Sequence, residues 1–366
     1  MIESRFGKSP SWSLGVEEEI MLVDARTLEQ VPRIGALLDA ADGRELPGRL
    51  KTELFASVVE LNTDVCATAH EALESLGLLR RAAAEVADRV GLGLIAAGTH
   101  PQSRPEEQEI VDEPRYREMV EYAGLTARRQ GVNGLHVHVG MPGGDECLHA
   151  LEGAMPWLPV VLALSANSPY LAGADTGFAS NRAIVLAELP RSGGPPPFAR
   201  YADWERYVER LSALRLPADY TALWWDVRPH PRFGTLEFRI ADQPTSLAVS
   251  CAFVALLQAL CVAVLDRPRR QPDAGDRGLY QQNRWAAARF GPSAELIDPS
   301  GTRRLPASEL AWELLELIAR AAEELGTGDL IAALDPAGCE ADRQLEVGRE
   351  RGLGAVCADL VERSLG

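Results

Sequence analysis

The segment from residue 133 to residue 140 combines reactive side chains with a clear strand pattern. It reads Asn-Gly-Leu-His-Val-His-Val-Gly, and this alternation of apolar and polar residues predicts a half-buried β-strand. Because successive side chains on a strand point to opposite faces, His136 and His138 share one face. Two imidazoles on one face can reach the same metal ion or phosphate, although a pair of purely structural histidines fits the pattern about as well.

Two other strand-like segments carry charged pairs at the same spacing. Glu17 and Glu19 belong to the first predicted strand, and Glu237 and Arg239 belong to a late one. Glu18 must face away from its two neighbours if the first strand is regular. Three strands with polar pairs two residues apart predict a single sheet whose polar face forms a site.

Two further glutamates, Glu53 and Glu60, extend the acidic set. Several carboxylates near an imidazole favour hard divalent cations such as Mg²⁺ or Mn²⁺, and without a cation they would repel one another. For any one of these glutamates, a solvated position at the surface is about as good an explanation. Residues 53 and 60 fall on opposite faces of a straight strand, so we expect a bulge or break near Ala56 and Ser57 that brings both to one side.

Arginines supply the positive charge of the predicted site, because Lys8 and Lys51 are the only lysines. Arg182 lies in a long loop-rich region, and Arg228 precedes the strand that carries Arg239. The planar guanidinium group matches carboxylate and phosphate oxygens in a bidentate way. Carboxylates for a divalent cation together with arginines for phosphate are what phosphoryl transfer requires.

Composition narrows the classes of partner. The 366 residues include 37 Lys and Arg against 53 Asp and Glu, a net charge of −16 that argues against nucleic acid or an anionic membrane as the main partner.

The six cysteines show no CxxC spacing and no signal peptide precedes them, which predicts free thiols in a reducing cytoplasm. The apolar run at residues 247–265 is predicted to be a buried core helix, because no second such segment exists to partner it in a membrane.

The pattern of elements predicts an α+β fold with one mixed or antiparallel sheet. Thr68 and Glu71 form a capping box at the start of a helix that Gly91 ends. The other predicted elements are an extended or bent segment at 51–62, a strand at 93–97, helices at 113–130, 145–166 (split by its prolines), 201–215 and 246–265, strands at 222–228 and 233–241, and mainly helix from 278, including 307–325.

Eight segments carry a more specific signal, in order along nearly the whole chain: LGVEEE at 14–19, VELNTDVC at 59–66, GTHP at 98–101, GLHVHVG at 134–140, DTGFASNR at 175–182, WDVRP at 225–229, GTLEFR at 234–239 and NRW at 283–285. With these motifs the chain resembles the bacterial carboxylate–amine ligase family, also called glutamate–cysteine ligase type 2. More distantly it is similar to glutamine synthetase.

The resemblance implies a fold and a reaction. The fold would be a glutamine-synthetase-like, curved and mostly antiparallel sheet backed by helices, in one catalytic domain over residues 1–366 with a mainly helical part from about 246. The reaction would be ATP-dependent formation of a γ-glutamyl-type amide between a small carboxylic acid, glutamate, and an amine such as cysteine, through an acyl phosphate. A cytoplasmic homodimer is implied as well.

The resemblance also assigns roles residue by residue. The ligands of Mg²⁺ or Mn²⁺ would be Glu17, Glu19, Glu53, Glu60, His136 and Glu237. The groups near the phosphates of ATP would be His138, Asn181, Arg182 and Arg239, of which His138, Arg182 and Arg239 would be catalytic. The substrate carboxylate would be bound by Arg228 and Arg239.

Two other functions remain open at this point. A zinc-dependent hydrolase could use His136, His138 and a glutamate, since two imidazoles and a carboxylate suit catalytic zinc. A relative without catalytic activity could bind nucleotide or a small acid for regulation. The surplus of carboxylates argues against the first, and the complete set of acidic positions argues against the second.

Overall fold

An antiparallel sheet of seven strands lies at the centre of the protein. The computed structural model describes residues 3–216, 219–271 and 273–364. Within those ranges the strands are β1 (Leu14–Asp24), β2 (Gly48–Thr52), β3 (Val58–Thr63), β4 (Leu92–Ile95), β5 (Leu135–Gly140), β6 (Tyr170–Leu171), β7 (Ala174–Asp175), β8 (Ser192–Gly193), β9 (Trp224–Trp225), β10 (Val227–His230), β11 (Thr235–Phe238), β12 (Glu295–Ile297) and β13 (Arg304–Pro306).

Helices surround the sheet and make up most of the chain after β11. In chain order they are α1 (Ile34–Ala41), α2 (Ala69–Arg89), α3 (Pro114–Ala123), α4 (Leu125–Arg128), α5 (Gly144–Ala154), α6 (Leu158–Ser165), α7 (Asn181–Leu186), α8 (Tyr201–Ala213), α9 (Leu247–Leu265), α10 (Ala274–Phe290), α11 (Ala307–Leu325), α12 (Gly328–Ile331), α13 (Glu340–Arg351) and α14 (Leu353–Arg363).

The three strands with charged pairs are neighbours, as predicted. The sheet runs β10–β11–β5–β1–β3–β2, and β4 pairs with the last residues of β1 beyond the end of β5. Every pairing in this sheet is antiparallel. The observed architecture therefore confirms the predicted α+β fold with an antiparallel sheet backed by helices.

The apolar face of the sheet packs against the long helix α9. Val137 and Val139 of β5 and Leu236 of β11 share one continuous core cluster with Phe253 and Leu256 of α9. Helices α2, α5 and α11 pack around α9 in turn. With this face buried in helices, the side chains of the alternate residues must face the other side of the sheet, where the charged pairs lie.

Several predicted elements differ in detail from the observed ones. Segment 51–62 is a hairpin of β2 and β3 rather than one bent strand, and the helix predicted at 113–130 is broken at Gly124, which has a positive φ of 58°. Strand β5 is buried on both faces rather than half-buried. The region after 278, predicted to be mainly helical, also contains the β12–β13 hairpin.

Two helical stretches are long and apolar enough to cross a membrane, Gly144–Ser165 and Leu247–Leu265. The expectation that the second has no counterpart was therefore wrong. Burial within the protein covers 78% and 72% of their most apolar windows, which is typical of core helices. The first stretch is interrupted by a 3₁₀ turn at Met155–Trp157, as its prolines predict. All six cysteines are free thiols.

Candidate active site

A cavity of about 860 Å³ lies over the polar face of the sheet. Its wall contains eight of the residues singled out in the sequence: Glu17, Glu19, Glu53, Glu60, His136, Arg182, Arg228 and Arg239. His138 and Glu237 lie on the same face of β5 and β11 but outside the cavity lining, and Asn181 lies beside Arg182. Groups separated by more than 200 residues in sequence are thus brought to one place by the order of the strands.

Glu17 lies between the two imidazoles of β5. Its Oε2 is 3.2 Å from His136 Nδ1, and its Oε1 is 3.7 Å from His138 Nε2. Burial alone would raise the pKa of Glu17, but the hydrogen bond with His136 and the nearby His138 imidazole hold it well below its ordinary value. Burial lowers the pKa of His136 to about 4, and the charge of Arg239 adds to that effect. Glu17 is therefore an ionised carboxylate with two imidazole neighbours.

Glu237 is held by two arginines. Arg228 Nε donates to its Oε2 at 2.6 Å, and Arg239 Nη1 donates to its Oε1 at 2.6 Å. Burial raises the pKa of Glu237, but the two guanidinium charges bring it well below its ordinary value. Ligand atoms of Glu17, His138 and Glu237 lie within 4.8 Å of one another, close enough to bind one cation. Among the described residues this spacing groups His138, rather than His136, with the two glutamates.

The second carboxylate group consists of Glu19, Glu53 and Glu60. Residues 53–57 form an irregular connection between β2 and β3, which is the break expected there, and both Glu53 and Glu60 face the cavity. Burial, followed by the charge of Glu53, raises the pKa of Glu19 to about 8. Burial and the charges of Glu17 and Glu53 raise the pKa of Glu60 to about 7. The positive groups of the protein near Glu19 and Glu60 therefore do not offset burial and the charges of the neighbouring carboxylates.

The donor set fits Mg²⁺ or Mn²⁺ better than zinc. Oxygen ligands outnumber imidazoles in both groups of residues, and hard cations prefer oxygen. A divalent cation would also supply the positive charge that the second carboxylate group lacks. Three cavity-lining residues have a buried polar atom without a hydrogen-bond partner among the described residues: Gln130 Oε1, Arg182 Nε and Arg239 Nε. Asn62 Oδ1 and Asn181 Nδ2 also lack a partner there, and they belong to residues beside Glu60 and Arg182.

Arg182 is placed by a short helix rather than by the loop predicted there. Ser180 caps α7, and its hydroxyl donates to Asp242 Oδ1 at 2.7 Å. The guanidinium of Arg182 donates to the carbonyl oxygens of Arg239 at 2.9 Å and Ile240 at 3.2 Å. This arrangement requires glycine at position 134, because a Cβ there would lie 2.2 Å from Arg182 Nη2. The glycine of the GLHVHVG motif thus makes room for the arginine of the DTGFASNR motif.

Comparison with known proteins identifies the family. The sequence profile of glutamate–cysteine ligase family 2 matches residues 13–351. The chain belongs to this family. A Rubrobacter xylanophilus protein, provisionally named glutamate–cysteine ligase 2-3, is 41% identical over 99% of both chains. A Herpetosiphon aurantiacus relative, provisionally named glutamate–cysteine ligase 2, is 36% identical over 97% of this chain and 93% of its own.

Solved structures share the fold of this family member at low sequence identity. The glutamate–cysteine ligase of Francisella tularensis, solved with AMP, has a TM-score of 0.71 and 13% identity, over 98% of this chain and 89% of that chain. A bifunctional glutathione synthetase from Pasteurella multocida has a TM-score of 0.68 and 16% identity, over 97% of this chain and 52% of that chain. The family makes the protein an ATP-dependent ligase that forms C–N bonds, which favours the ligase over the hydrolase alternative.

In this ligase, Tyr116 lines the candidate site and was missed by the sequence analysis. Its hydroxyl donates to Glu53 Oε2 at 2.9 Å, and it accepts from Arg115 Nη2 at 2.6 Å. The Arg115 guanidinium also lies 4.3 Å from the centre of the Tyr116 ring. No spacing motif marks Tyr116, so its only signal is an aromatic residue three positions into a helix that begins at Pro114.

The opposite face of β1 carries a different acidic residue. Glu18 faces the helices, where Arg80 donates to its two oxygens at 2.6 and 2.7 Å. Ser250 Oγ and Gln243 Nε2 donate to the same carboxylate at 2.6 and 3.0 Å. Burial raises the pKa of Glu18, but Arg80 and these hydrogen bonds leave it below the ordinary value. Glu18 is thus part of the core, as the alternation of the strand predicts.

Proposed function

We propose that this ligase joins the carboxylate of an amino acid, with glutamate as the first candidate, to an amine such as cysteine. The bond formed is a γ-glutamyl-type amide, and the intermediate is an acyl phosphate. The observation that supports this proposal is the meeting of carboxylates, imidazoles and arginines over one cavity. ATP is the phosphoryl donor that membership of the family implies.

We further propose that the two groups of acidic residues hold Mg²⁺ or Mn²⁺. One group is Glu17 and Glu237 with His136 or His138, and the other is Glu19, Glu53 and Glu60. The bound cation would neutralise the negative charge of the triphosphate. The protein's part is to gather these carboxylates on one face of the sheet, and the irregular connection before β3 turns Glu53 toward the cavity.

The arginines are proposed to bind the anionic substrates. Arg182 and Arg239 each have a buried Nε without a hydrogen-bond partner among the described residues, so both can donate to a phosphate or carboxylate oxygen. His138 is proposed to lie near the transferred phosphoryl group, and Asn181 to donate from its unpartnered Nδ2. These donors would stabilise the charge that spreads over the phosphoryl oxygens during transfer.

Arg228 fits the role of substrate ligand less well than the sequence suggested. Its Nε and Nη2 donate to Glu237, and its Nη1 donates to the carbonyl oxygens of Leu223 and Thr221. With all three nitrogen atoms in use, Arg228 is proposed to position Glu237. The substrate carboxylate is then left to Arg182 and Arg239.

The proposed chemistry has two steps. A carboxylate oxygen of the acid attacks the γ-phosphorus of ATP, so that a new P–O bond forms and ADP leaves. The amine nitrogen then attacks the acyl carbon, a C–N bond forms, and phosphate leaves. The amine loses its proton to a nearby carboxylate or to the departing phosphate. Activation is needed because a carboxylate resists nucleophiles, whereas an acyl phosphate carries a good leaving group.

The test is a product analysis with isotope transfer. Purified protein is incubated with ATP, Mg²⁺, a pool of amino acids and a panel of amines, and the masses of new amides are recorded together with ADP release. Glutamate labelled with ¹⁸O in its side-chain carboxylate should deliver one ¹⁸O atom to inorganic phosphate. Intact ATP across the whole panel would overturn the proposal, and amide without ¹⁸O-labelled phosphate would overturn the acyl phosphate.

Metal analysis addresses the remaining alternative. Protein purified without added metal should hold Mg²⁺ or Mn²⁺ weakly and reversibly. Stoichiometric, tightly held zinc would instead support a hydrolase that uses His136 and His138.

We also propose that residues 1–366 form one catalytic domain and that the protein is a cytoplasmic homodimer acting on small molecules. Light scattering on the purified protein measures the oligomeric state, and a monomer would contradict that part.

A further inference from the structure

Asp242 lies three residues after Arg239, and the proposed chemistry does not use it. Its side chain is fully buried. Its Oδ2 accepts hydrogen bonds from Ser168 Oγ at 2.6 Å and from the backbone N–H of Asn167 at 2.9 Å, and its Oδ1 accepts from Ser180 Oγ at 2.7 Å. A carboxylate this deeply buried stays ionised only where hydrogen bonds and a nearby positive charge compensate for the lost water.

The positive charge beside Asp242 belongs to Arg182. Arg182 Nη1 is 4.0 Å from Asp242 Oδ1, and in the described part of the chain no other carboxylate forms an ion pair with this guanidinium. Both side chains are buried. Burial lowers the pKa of Arg182, and the charge of Asp242 is the largest of the effects that oppose this lowering. Asp242 is therefore the counter-ion of a buried arginine.

Two serines extend this contact to the backbone around Arg182. Ser168 Oγ, which donates to Asp242, accepts from the backbone N–H of Arg182 at 3.0 Å. Ser180 Oγ, which also donates to Asp242, accepts from the backbone N–H of Ala183 at 3.3 Å and so caps helix α7. One carboxylate thus fixes the start of the helix that carries Arg182 and also faces the guanidinium at the other end of the side chain.

The GTHP motif at 98–101, which the proposed function leaves without a role, makes room for this network. A Cβ at position 98 would lie 2.8 Å from Asp242 Oδ2 and 2.9 Å from Ser168 Cβ, so an alanine there would displace both side chains. Gly134 makes room for the guanidinium of Arg182 in the same way. Glycines of two different motifs therefore leave space for the two members of one ion pair.

We propose that Asp242 is a positioning residue that fixes the Arg182 guanidinium at the cavity, so that Arg182 binds the anionic substrate in a single orientation. This inference rests on the proposed role of Arg182, whose Nε has no partner among the described residues. A guanidinium that is already ordered loses less conformational entropy when it binds a phosphate or carboxylate, and this increases affinity. Asp242 is not part of the cavity lining, so it acts through Arg182.

The test compares Asp242→Asn with Arg182→Met. The amide keeps the shape of the carboxylate but removes its charge and one acceptor oxygen, so the guanidinium loses its counter-ion. Isothermal titration calorimetry measures the affinities for ADP and for glutamate, each with Mg²⁺ and without turnover. The ligand whose affinity falls in Arg182→Met should also bind about 10-fold more weakly to Asp242→Asn. The KM for the amine should change by less than about twofold in Asp242→Asn.

A double variant separates positioning from a purely structural role. Adding Asp242→Asn to Arg182→Met should weaken binding further by less than about twofold, because the group that Asp242 orients is already gone. Gly98→Ala displaces Asp242 without removing it, and it tests the proposal independently of the Asn substitution. It should lower the affinity for the same ligand by about threefold.

Glu152→Gln is the matched control for the loss of a buried ion pair. Glu152 on α5 is buried and accepts from Arg277 Nη2 at 2.6 and 2.7 Å, and neither residue lines the candidate active site. This variant should lower the melting temperature, as Asp242→Asn does, and it should leave the affinities for ADP and glutamate unchanged.

The outcomes separate this inference from the function on which it rests. Additive losses in the double variant, or a loss of affinity for the other ligand alone, would overturn the role of Asp242 while the ligase function stands. Unchanged affinities in Arg182→Met would overturn the roles of both Arg182 and Asp242, and amide formation by the wild type would still support the ligase. Wild-type protein that binds no ADP and consumes no ATP with any acceptor would overturn the inference and the proposed function together.

Discussion

Glu18 and Glu19 are adjacent in sequence and both are buried, yet their surroundings differ completely. Glu18 accepts hydrogen bonds from Arg80, Ser250 and Gln243 on the helical side of β1, and its pKa lies below the ordinary value. Glu19 faces the cavity beside Glu53, and burial raises its pKa to about 8. Both residues are buried, yet the pKa of Glu18 is lowered and the pKa of Glu19 is raised.

The difference teaches how to tell a structural acid from a binding acid. Desolvation penalises both carboxylates, so burial does not distinguish them. What distinguishes them is whether the protein provides the compensating charge. Around Glu18 it does, and the cluster is complete. Around Glu19 and Glu60, burial and the neighbouring carboxylates raise the pKa by more than Arg182, Arg239 and Lys51 lower it, which is expected where a cation from solution completes the cluster.

The largest expected effect concerns the complete cluster. Glu18→Gln leaves the buried Arg80 charge without its carboxylate partner, and it should lower the free energy of unfolding by about 3–5 kcal/mol. Urea denaturation followed by circular dichroism measures this value. A loss below about 1 kcal/mol would show that the carbonyl oxygens of Thr245 and Pro244 are sufficient partners for Arg80.

The same substitution at Glu60, in the incomplete cluster, should lower activity without lowering stability. Glu60→Gln removes a carboxylate that its neighbours repel, so the metal-free protein should be as stable as the wild type or more stable. Amide formation should fall by about 100-fold, or about 2.7 kcal/mol, because a proposed cation ligand is lost. Steady-state rates and denaturation of the same preparation measure both quantities. A variant that is fully active and less stable would make Glu60 a structural residue.

The pH dependence of stability should separate the clusters without mutation. Glu19 and Glu60 have pKa values raised to about 8 and about 7, so between pH 6.5 and 8 the folded, metal-free protein binds protons that the unfolded chain has already released. Stability should therefore fall as pH rises through this window, by up to about 1.4 kcal/mol per pH unit and per group.

Two histidines also contribute to this slope. His136, whose pKa is lowered to about 4 in the folded state, gives the opposite slope only below about pH 6.5, where the unfolded imidazole is protonated. The pKa of His138 is raised by its neighbours Glu17 and Glu237 despite burial, so His138 adds to the fall above pH 6.5. Saturating Mn²⁺ should flatten the fall, because it binds the ionised carboxylates of the folded state. Thermal melts across the window with and without Mn²⁺ provide the data, and a rise in stability of the metal-free protein would contradict the raised pKa values.

The smallest effect is expected from the group that orients Glu53. Tyr116→Phe removes the hydroxyl that donates to this carboxylate, and partners of metal ligands of this kind typically contribute about tenfold to metal affinity. Titration with Mn²⁺ monitored by electron paramagnetic resonance measures the affinity without turnover. Tyr207→Phe, a tyrosine packed against Phe198 and Trp225, is the matched control. Equal affinities in both variants would leave Tyr116 with a packing role.

The sequence was sufficient wherever a local period or a motif carried the information. The alternation in β1 predicted that Glu18 would turn away from Glu17 and Glu19, and the seven-residue spacing of Glu53 and Glu60 predicted the break before β3. Both expectations depend only on strand geometry. The structure contains both features.

Long-range contacts were beyond what the sequence alone could provide. Tyr116 reaches Glu53 across 63 residues, and nothing near either residue encodes that contact. The resemblance implied a substrate-binding role for Arg228. Its contact with Glu237 on the neighbouring strand depends on a register that the sequence does not specify. The burial of β5 on both faces likewise depends on segments that pack over it from elsewhere in the chain.

The alternation of β1 also limits how this protein can change. Inserting one residue ahead of Glu17 would exchange the two sides of the strand, so that Glu18 would enter the cavity while Glu17 and Glu19 would meet the helices. Such a length change would disrupt the hydrophobic interior and the candidate active site in a single event. Loops around the sheet can lengthen or shorten during divergence, whereas the number of residues in this strand is constrained by the contacts on both of its faces.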